Sequence, residues 1–259
     1  MTPEAPSAAT VVGVDGCKAG WIAAIRAPGA APRAAVFARF DALLAALAED
    51  AVIAVDMPIG LPERVGPGGR SPERLVRAKL GARQSSVFSI PSRAAVFAET
   101  DPFSTVEAWY AAHRRASAVA RATSEPPRAV SIQAFGIFSK IRELDAVLRA
   151  RPELRGRVIE SHPEAAFRQL NGEREMQTPK KIRGKVNPDG MAERRALLAA
   201  CGIDRAFLDA APPRGAGADD FLDAAAMMLV AERHALGRAV PIPDPPGRDG
   251  HGLPVAIWT

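Results

Sequence analysis

Four groups of acids stand where an apolar run begins or ends. Asp15 closes TVVGVDG, Asp56 closes VIAVDMPIG and Glu160 closes VIESHPE, while Asp219, Asp220 and Asp223 open the helix-like stretch ADDFLDAAAMMLVAE. A carboxylate at the exit of a buried strand gains nothing from core packing, and losing its hydration is costly. Gathered at the carboxyl edge of one sheet, several such groups make a site for divalent cations that prefer oxygen ligands. That donor set suits metal-assisted phosphoryl chemistry.

Each acid also has a structural use. Asp15, in VDGCKAGW, can shape a hairpin through an Asx-turn as well as hold a metal. Asp56 leaves its strand into MPIGLP, where proline and glycine fix the departing loop and its backbone amides can occupy the carboxylate. Glu164 has the spacing of a capping box with Ser161, which leaves Glu160 as the better ligand or general base. His162 can shuttle a proton near neutral pH, or simply be solvated. Acids in the first turn of a helix complement its dipole. Asp220 and Asp223, three residues apart, also face the same way.

Two basic groups complement the acids. Arg70, Arg74 and Arg77 lie on one helical stripe, near Lys79, Arg83 and Arg93, with Ser85 and Ser86 between them; Lys180, Lys181, Arg183 and Lys185 form a second group. Arginine forks and serine hydroxyls suit phosphate oxygens, so Arg74, Arg77, Arg83, Ser85, Ser86, Lys180 and Lys181 are the candidate substrate contacts. A charge run also makes an ordinary solvated face. No CxxC, HExxH, P-loop or GxGxxG occurs, and no serine sits in a nucleophile elbow.

The elements that must position these groups follow from the pattern. Residues 10–15 form a β-branched run typical of a strand buried on both faces. Gly16 and Gly20 bracket a turn, residues 21–26 return as a hairpin strand, and a third strand covers 34–40. A helix from Asp41 presents Leu43, Leu44 and Leu47 on one face, and 52–56 is a short buried strand. Helical patterns over 72–83, 102–122 and 130–150 describe a largely helical insertion, about residues 61–155, within a single domain covering 10–259. Strand character returns at 158–160. Residues 172–190 read as a polar loop, helices follow near 190–201 and 219–236, and PIPDPPGRDGHG reads as loop before an edge strand at 253–258.

Composition sets outer limits. The 259 residues are 47% hydrophobic with a net charge of +5, and aromatics are only 5%, so the core must be built from aliphatic side chains. A modest basic excess permits an anionic substrate. Cys17 and Cys201 lie far apart and outside metal-ligand spacing, which argues against zinc and for a reducing compartment. Residues 1–9 read as a frayed tail without the features of a signal peptide. No run approaches the length needed to cross a bilayer. A cytoplasmic protein without a membrane partner is expected.

The ordered set VDGCKAGW, AVDMPIGLP, RAKLGARQSSVFSIPSR, SIQAFGIFSKIRELD, VIESHPEAAFRQL, ADDFLDA and GLPVAIW resembles a bacterial domain-of-unknown-function family, the predicted RNase H-like nucleases. The resemblance covers nearly all of residues 11–258. It implies an α/β, RNase H-like fold: a mixed five-stranded sheet, its first three strands antiparallel, flanked by helices. It further implies that Asp15, Asp56 and Asp220 or Asp223 bind two divalent metals, Mg²⁺ or Mn²⁺, with Glu160 added by this family's own motif. Ser89, where the family commonly has proline, and Ile132, where it is more polar, depart from the pattern and leave the acids intact. The hairpin VDGCKAGW is also similar to the phosphate-binding hairpin of sugar kinases and actin-like ATPases.

The expected activity is therefore hydrolysis of a nucleic-acid phosphodiester, DNA or RNA, by a metal-dependent nuclease with catalytic Asp15, Asp56, Glu160, Asp220 and Asp223. Two alternatives keep the same fold. One is nucleotide binding or phosphotransfer on a small molecule, for which a second phosphate loop is missing. The other is a catalytically silent module that binds nucleic acid or a protein partner.

Overall fold

A computed structural model describes residues 9–100 and 102–259. The frayed tail expected at residues 1–9 lies, save for Ala9, outside the described residues. In chain order the elements are β1 (Val11–Cys17), β2 (Gly20–Arg26), β3 (Arg33–Phe37), α1 (Phe40–Ala45) and β4 (Val52–Val55). Five helices follow: α2 (Ser71–Lys79), α3 (Arg93–Val96), α4 (Val106–Ala122), α5 (Ile132–Gly136) and α6 (Phe138–Ala150). Then come β5 (Val158–Glu160), α7 (Pro163–Leu170), β6 (Lys181–Ile182), β7 (Lys185–Val186) and α8 (Pro188–Ala200). The chain ends through α9 (Arg205–Leu208), α10 (Ala218–Ala235), β8 (Pro241–Arg248) and β9 (Pro254–Trp258).

These elements sort into two compact units. One holds the described residues up to Met57 with Gly156–Pro241 and Trp258–Thr259; the other holds Pro58–Arg155 with Ile242–Ile257.

In the first unit five strands form one mixed sheet in the order β3-β2-β1-β4-β5. β1, β2 and β3 pair antiparallel, whereas β4 lies parallel to β1 and β5 parallel to β4. This is the expected α/β architecture, and its strand order is compatible with an RNase H-like fold. β1 and β4 are apolar without alternation because both of their faces are covered, and β3, at the edge, stays partly exposed.

Against β1 lies α10, buried without a break from Phe221 to Ala231. Its alanines let backbone approach backbone. A Cβ on Gly13 would stand 2.0 Å from both the Ala224 carbonyl oxygen and the Met228 amide nitrogen, so nothing larger than hydrogen fits there.

The second unit is largely helical and carries the β8–β9 hairpin as a separate two-stranded sheet. Arg93 is its tie: both of its terminal nitrogens donate to Asp145 at 2.7 Å, and Nη2 also donates to Asp249 Oδ2 at 2.8 Å. Among the described residues no helix is long and apolar enough to cross a membrane.

Several boundaries differ from the pattern-based expectations for local reasons. The helix expected over 72–83 stops at Lys79, and a 3₁₀ turn at Gly81–Ser86 follows. The helix expected over 102–122 begins at Val106, because the Thr105 hydroxyl accepts from Ala108 N. The pattern over 130–150 breaks into α5 and α6 at Ile137. The polar loop at 172–190 contains the short β6–β7 hairpin. Residues 253–258 do not join the main sheet but pair with β8, which the prolines had suggested was loop.

Candidate functional site

β1, β4 and β5 run side by side and parallel, so their carboxyl ends share one edge of the sheet. Val14 is in register with Val55, and Asp56 N donates to Val14 O at 2.8 Å, which sets Asp15 and Asp56 level. On β1 the two-residue period puts Asp15 on the face of Gly13, which is the face that meets α10. Asp223 precedes the Ala224 that touches Gly13, so the first turns of α10 bring Asp223 to the same edge. Glu160 is in register with Val55 instead, and the pleat turns it from the face of Ile159, which packs in the α10 core.

Burial and neighbouring charge act on these acids together. Burial, then the charges of Asp56 and Asp223, push the Asp15 carboxyl well above the usual carboxylate range. Burial and then Asp223 raise Asp56 to about 8, with Glu160 and Asp220 adding smaller contributions. Asp223 is raised too, by burial first, against the lowering effect of Lys180. Like charges held out of water cannot all ionise cheaply.

Lys180 is the cation these acids face. Its Nζ donates to Asp223 Oδ2, and the charges of Asp223, Asp15 and Asp56 together hold the ammonium above its usual range against the effect of burial. The lysine is delivered by a stretch clamped onto α8. Asn187 N donates to Lys180 O at 2.8 Å, Asn187 Nδ2 to Pro179 O at 2.9 Å, and Arg194 Nη1 to Thr178 O at 2.9 Å. Glu193 accepts from the amides of Gln177 and Thr178, each at 2.8 Å. A Cβ on Gly190 would meet Pro179 O at 2.2 Å, so α8 presses directly on the loop.

Beneath this loop Arg194, fully buried, donates to Glu164 Oε1 at 2.5 Å and sits over the Phe167 ring. Glu164 therefore serves a buried ion pair, and the capping box expected with Ser161 does not form. His162 is the N-cap residue of α7, and Ser161 Oγ donates to Trp258 O at 2.7 Å.

The other candidates have local duties. Asp220 Oδ2 accepts from Gly217 N at 2.9 Å, which caps α10, and Lys181 pairs with Asp219 at 2.5 Å. The acids, Lys180 and Lys181 all belong to the first unit, while Arg74, Arg77, Arg83, Ser85 and Ser86 belong to the second. There Arg77 donates to Gly68 O and to Val87 O, and Ser86 Oγ donates to Arg83 O. Arg70 is buried and donates to Glu73, Ile59 O and Gly60 O. Arg74, Arg83 and Ser85 complete the group; Arg74 and Ser85 are exposed.

Sequence reasoning passed over Arg194 and Glu193. A signal for Arg194 existed, since it shares the buried stripe of Met191 and Leu198 on α8, where an unpaired arginine is not tolerated.

Among the described residues no group of three or more His, Cys, Asp or Glu side chains is arranged so that it could hold a metal ion. The chemistry of the donor set nonetheless fits a hard divalent ion. Asp15, Asp56 and Asp223 offer only carboxylate oxygens, and Asp223 Oδ1 is buried without a hydrogen-bond partner among the described residues. An oxygen in that state is unfavourable until it gains one.

One family model matches residues 13–248, a stretch that holds every one of these acids and Lys180. The chain belongs to the DUF429 family, described as proteins of unknown function. No curated protein and no solved structure matches it. Membership in DUF429 thus assigns no chemistry, which has to be argued from the site.

The acid cluster makes stability depend on pH with a definite sign. Asp56 titrates near 8 in the folded chain against 3.8 as its ordinary value. The folded state therefore holds the extra proton between those limits, and stability falls as pH rises through that window. Lys180, raised above its ordinary range, stays charged throughout and contributes no slope there. Melting curves from pH 5 to pH 8 should show this decline, and Asp56→Asn should flatten it and melt higher than wild type near pH 8. Parallel curves for the two proteins would refute the account.

Proposed function

We propose that this chain is a metal-dependent nuclease that hydrolyses a phosphodiester with Asp15, Asp56 and Asp223 as the ligands of Mg²⁺ or Mn²⁺. The observation that carries the reading is the meeting of these three carboxylates, from β1, β4 and α10, at one edge of the sheet, where the charges of Asp56 and Asp223 act on Asp15 and that of Asp223 acts on Asp56. Such crowding has no use in a fold that needs only stability, and it is relieved by a divalent cation. When bound, that cation supplies charge stabilisation at the phosphoryl group.

The remaining work falls to the protein. The sheet edge and α10 fix the acids in place, so little reorganisation is needed when the phosphate arrives. Lys180 offers ammonium N–H donors to a phosphate oxygen beside the acids. Asp220 supports the cluster by holding the start of α10, and Glu160 adds negative charge next to Asp56. Water adds to phosphorus, the bond from phosphorus to the leaving oxygen breaks, and that oxygen takes up a proton.

The test is cleavage of single-stranded DNA and RNA oligonucleotides with Mn²⁺. Asp223→Asn should abolish cleavage while oligonucleotide binding persists, since it removes a ligand and not a phosphate contact. Binding should weaken steeply with salt, with a log–log slope of about −0.7 for each neutralised phosphate on a single strand. Arg74→Ala should flatten that slope by about one contact and leave Mn²⁺ binding unchanged. Salt-insensitive binding confined to mononucleotides would replace this reading with phosphotransfer on a small molecule. Salt-dependent binding without cleavage under any divalent ion would leave a binding module.

A further inference from the structure

We propose that an aromatic cavity within the second unit is a nucleotide subsite, in which the base stacks on ring faces and the phosphate pairs with Arg142. The proposal goes beyond the reading above and uses none of the acids of the first unit.

The first argument is where the rings are. Aromatic residues make up only 5% of the chain, yet a connected cluster of them occupies this unit. Trp109 on α4 meets Phe135 on α5 edge-on with ring centroids 5.0 Å apart. Phe135 in turn meets Phe103 at 5.9 Å and Phe138 at 5.3 Å. Phe135 and Phe138 are buried, as a small helical core requires, whereas Phe103 and Trp109 stay partly exposed. These rings, with Ser139 and Arg142, line a cavity of about 360 Å³. That volume falls in the range of small-ligand sites, which are walled by apolar and aromatic side chains with a few polar groups. A flat ligand would cover ring surface that the packing of the unit leaves open to water.

The second argument is an unmatched charge. Arg70, Arg93 and Arg194 each meet their burial with a carboxylate: Glu73, Asp145 with Asp249, and Glu164. Arg142 is half-buried, and among the described residues its one hydrogen bond is from Nη1 to Val96 O at 2.9 Å. Burial pushes its guanidinium below the usual range, and no neighbouring carboxylate counters that effect. Glu99 also lines the cavity, but both of its oxygens accept from Arg115, at 2.5 and 2.9 Å, so its charge is already answered. A cation partly withdrawn from water is unfavourable until an anion reaches it.

Ring walls beside an unmatched guanidinium select a planar ligand that carries an anionic group. A nucleotide meets both demands, since every base presents a π-face and the arginine fork suits phosphate oxygens. The hydroxyls of Thr100 and Ser139, also on the cavity wall, can donate to or accept from the sugar and the base edge. A free mononucleotide and an unstacked residue of a single strand share this chemistry.

Binding measured without divalent ions tests the subsite apart from any cleavage. In calorimetric titration of the full chain, AMP should bind at least about tenfold more tightly than adenosine or ribose 5-phosphate, each of which lacks one half of the recognition. Arg142→Gln should bring AMP down to the affinity of adenosine and leave adenosine unchanged. Trp109→Ala should weaken AMP and adenosine alike by about fivefold or more. AMP should also quench tryptophan fluorescence in wild type and not in Trp109→Phe, which places the base at this ring. A single-stranded oligoadenylate that displaces AMP would make the occupant a residue of a strand, and one that does not would make it a free nucleotide; either upholds the subsite. AMP bound no more tightly than adenosine, AMP affinity unchanged in Arg142→Gln, or benzoate bound as tightly as AMP would overturn it. Should Arg142→Gln not fold, the wild-type ligand series and the Trp109 quenching decide alone. Failure here leaves the nuclease reading standing, and failure of Mn²⁺-dependent cleavage leaves the subsite standing.

Discussion

Gly13→Ala should either prevent folding or destabilise the protein by more than about 3 kcal/mol, the upper end for overpacking a core. The added methyl carbon meets no flexible side chain that can step aside. It meets the backbone of α10, at Ala224 O and Met228 N 2.0 Å away and at Met227 C 2.6 Å away. Relief requires the whole helix to lift from β1, and the buried run from Phe221 to Ala231 would have to repack with it. For a chain of this size a 3 kcal/mol loss lowers the melting temperature by roughly 6–12 °C. Gly136→Ala is the matched control, since a Cβ there meets nothing within 4 Å. At the end of a helix it should be neutral or stabilising by up to about 1 kcal/mol. If both variants melt with wild type, α10 does not press on β1 as described. A lifted α10 also carries Asp223 away from Asp15, so any surviving Gly13→Ala protein should lose Mn²⁺ affinity.

Arg194→Ala should cost a comparable amount, about 3–5 kcal/mol, for an electrostatic reason. Arg194 is fully buried and Glu164 nearly so, and the variant would leave that carboxylate in the interior without its partner. Hydrogen bonds to Thr178 O and Gly190 O would go with it. The double variant Glu164→Gln, Arg194→Met should recover much of the loss, because an ion pair replaced as a whole by neutral groups leaves no unpaired charge. Chemical denaturation of wild type, Arg194→Ala and the double variant makes the comparison. A double variant no more stable than Arg194→Ala would show that packing over Phe167, and not the ion pair, carries the effect. Hydrogen exchange at residues 177–180 should quicken in Arg194→Ala even where the sheet stays protected, since the seam under Lys180 has then lost one of its anchors.

Much of the sheet was legible because its strands obey simple rules. β1 and β4 are β-branched without alternation, which marks strands covered on both faces, and the helix-rich stretch that follows β4 returns the chain to a parallel β5. The positions of Asp15, Asp56 and Asp223 could be named from the same pattern, as carboxylates at the ends of buried runs. Their neighbours could not. Lys180 looked like one of four basic residues in a polar loop, and only the fold shows that its loop is seamed to α8 and its ammonium turned to the acids. Arg77 stood out as a candidate phosphate contact, and the fold adds that its guanidinium donates to two backbone carbonyls. Sequence spacing says where a long basic side chain leaves the backbone, but not what meets it there. β8 was hidden for a different reason. Four prolines in PIPDPPGR remove amide donors, which a two-stranded sheet tolerates because a strand with one neighbour need not donate on both edges.

The order in which the acids occur along the chain bears on how the protein comes into being during synthesis. Asp15 and Asp56 sit on β1 and β4, which can pair as soon as the opening of the chain has been made. The next strand of the sheet, β5, arrives only after roughly a hundred further residues, a distance that adds little to the loop-closure entropy but slows the search for the pairing. Lys180 and then Asp223 emerge later still. Through most of translation the nascent chain therefore carries two of the carboxylates without the helix that crowds them or the lysine that offsets them. The complete charge cluster closes late, when α10 settles on Gly13. A ribosome-bound fragment ending before residue 218 should accordingly lack the raised proton affinity of the finished site, and whatever chemistry the cluster performs is withheld until the fold around it is nearly whole.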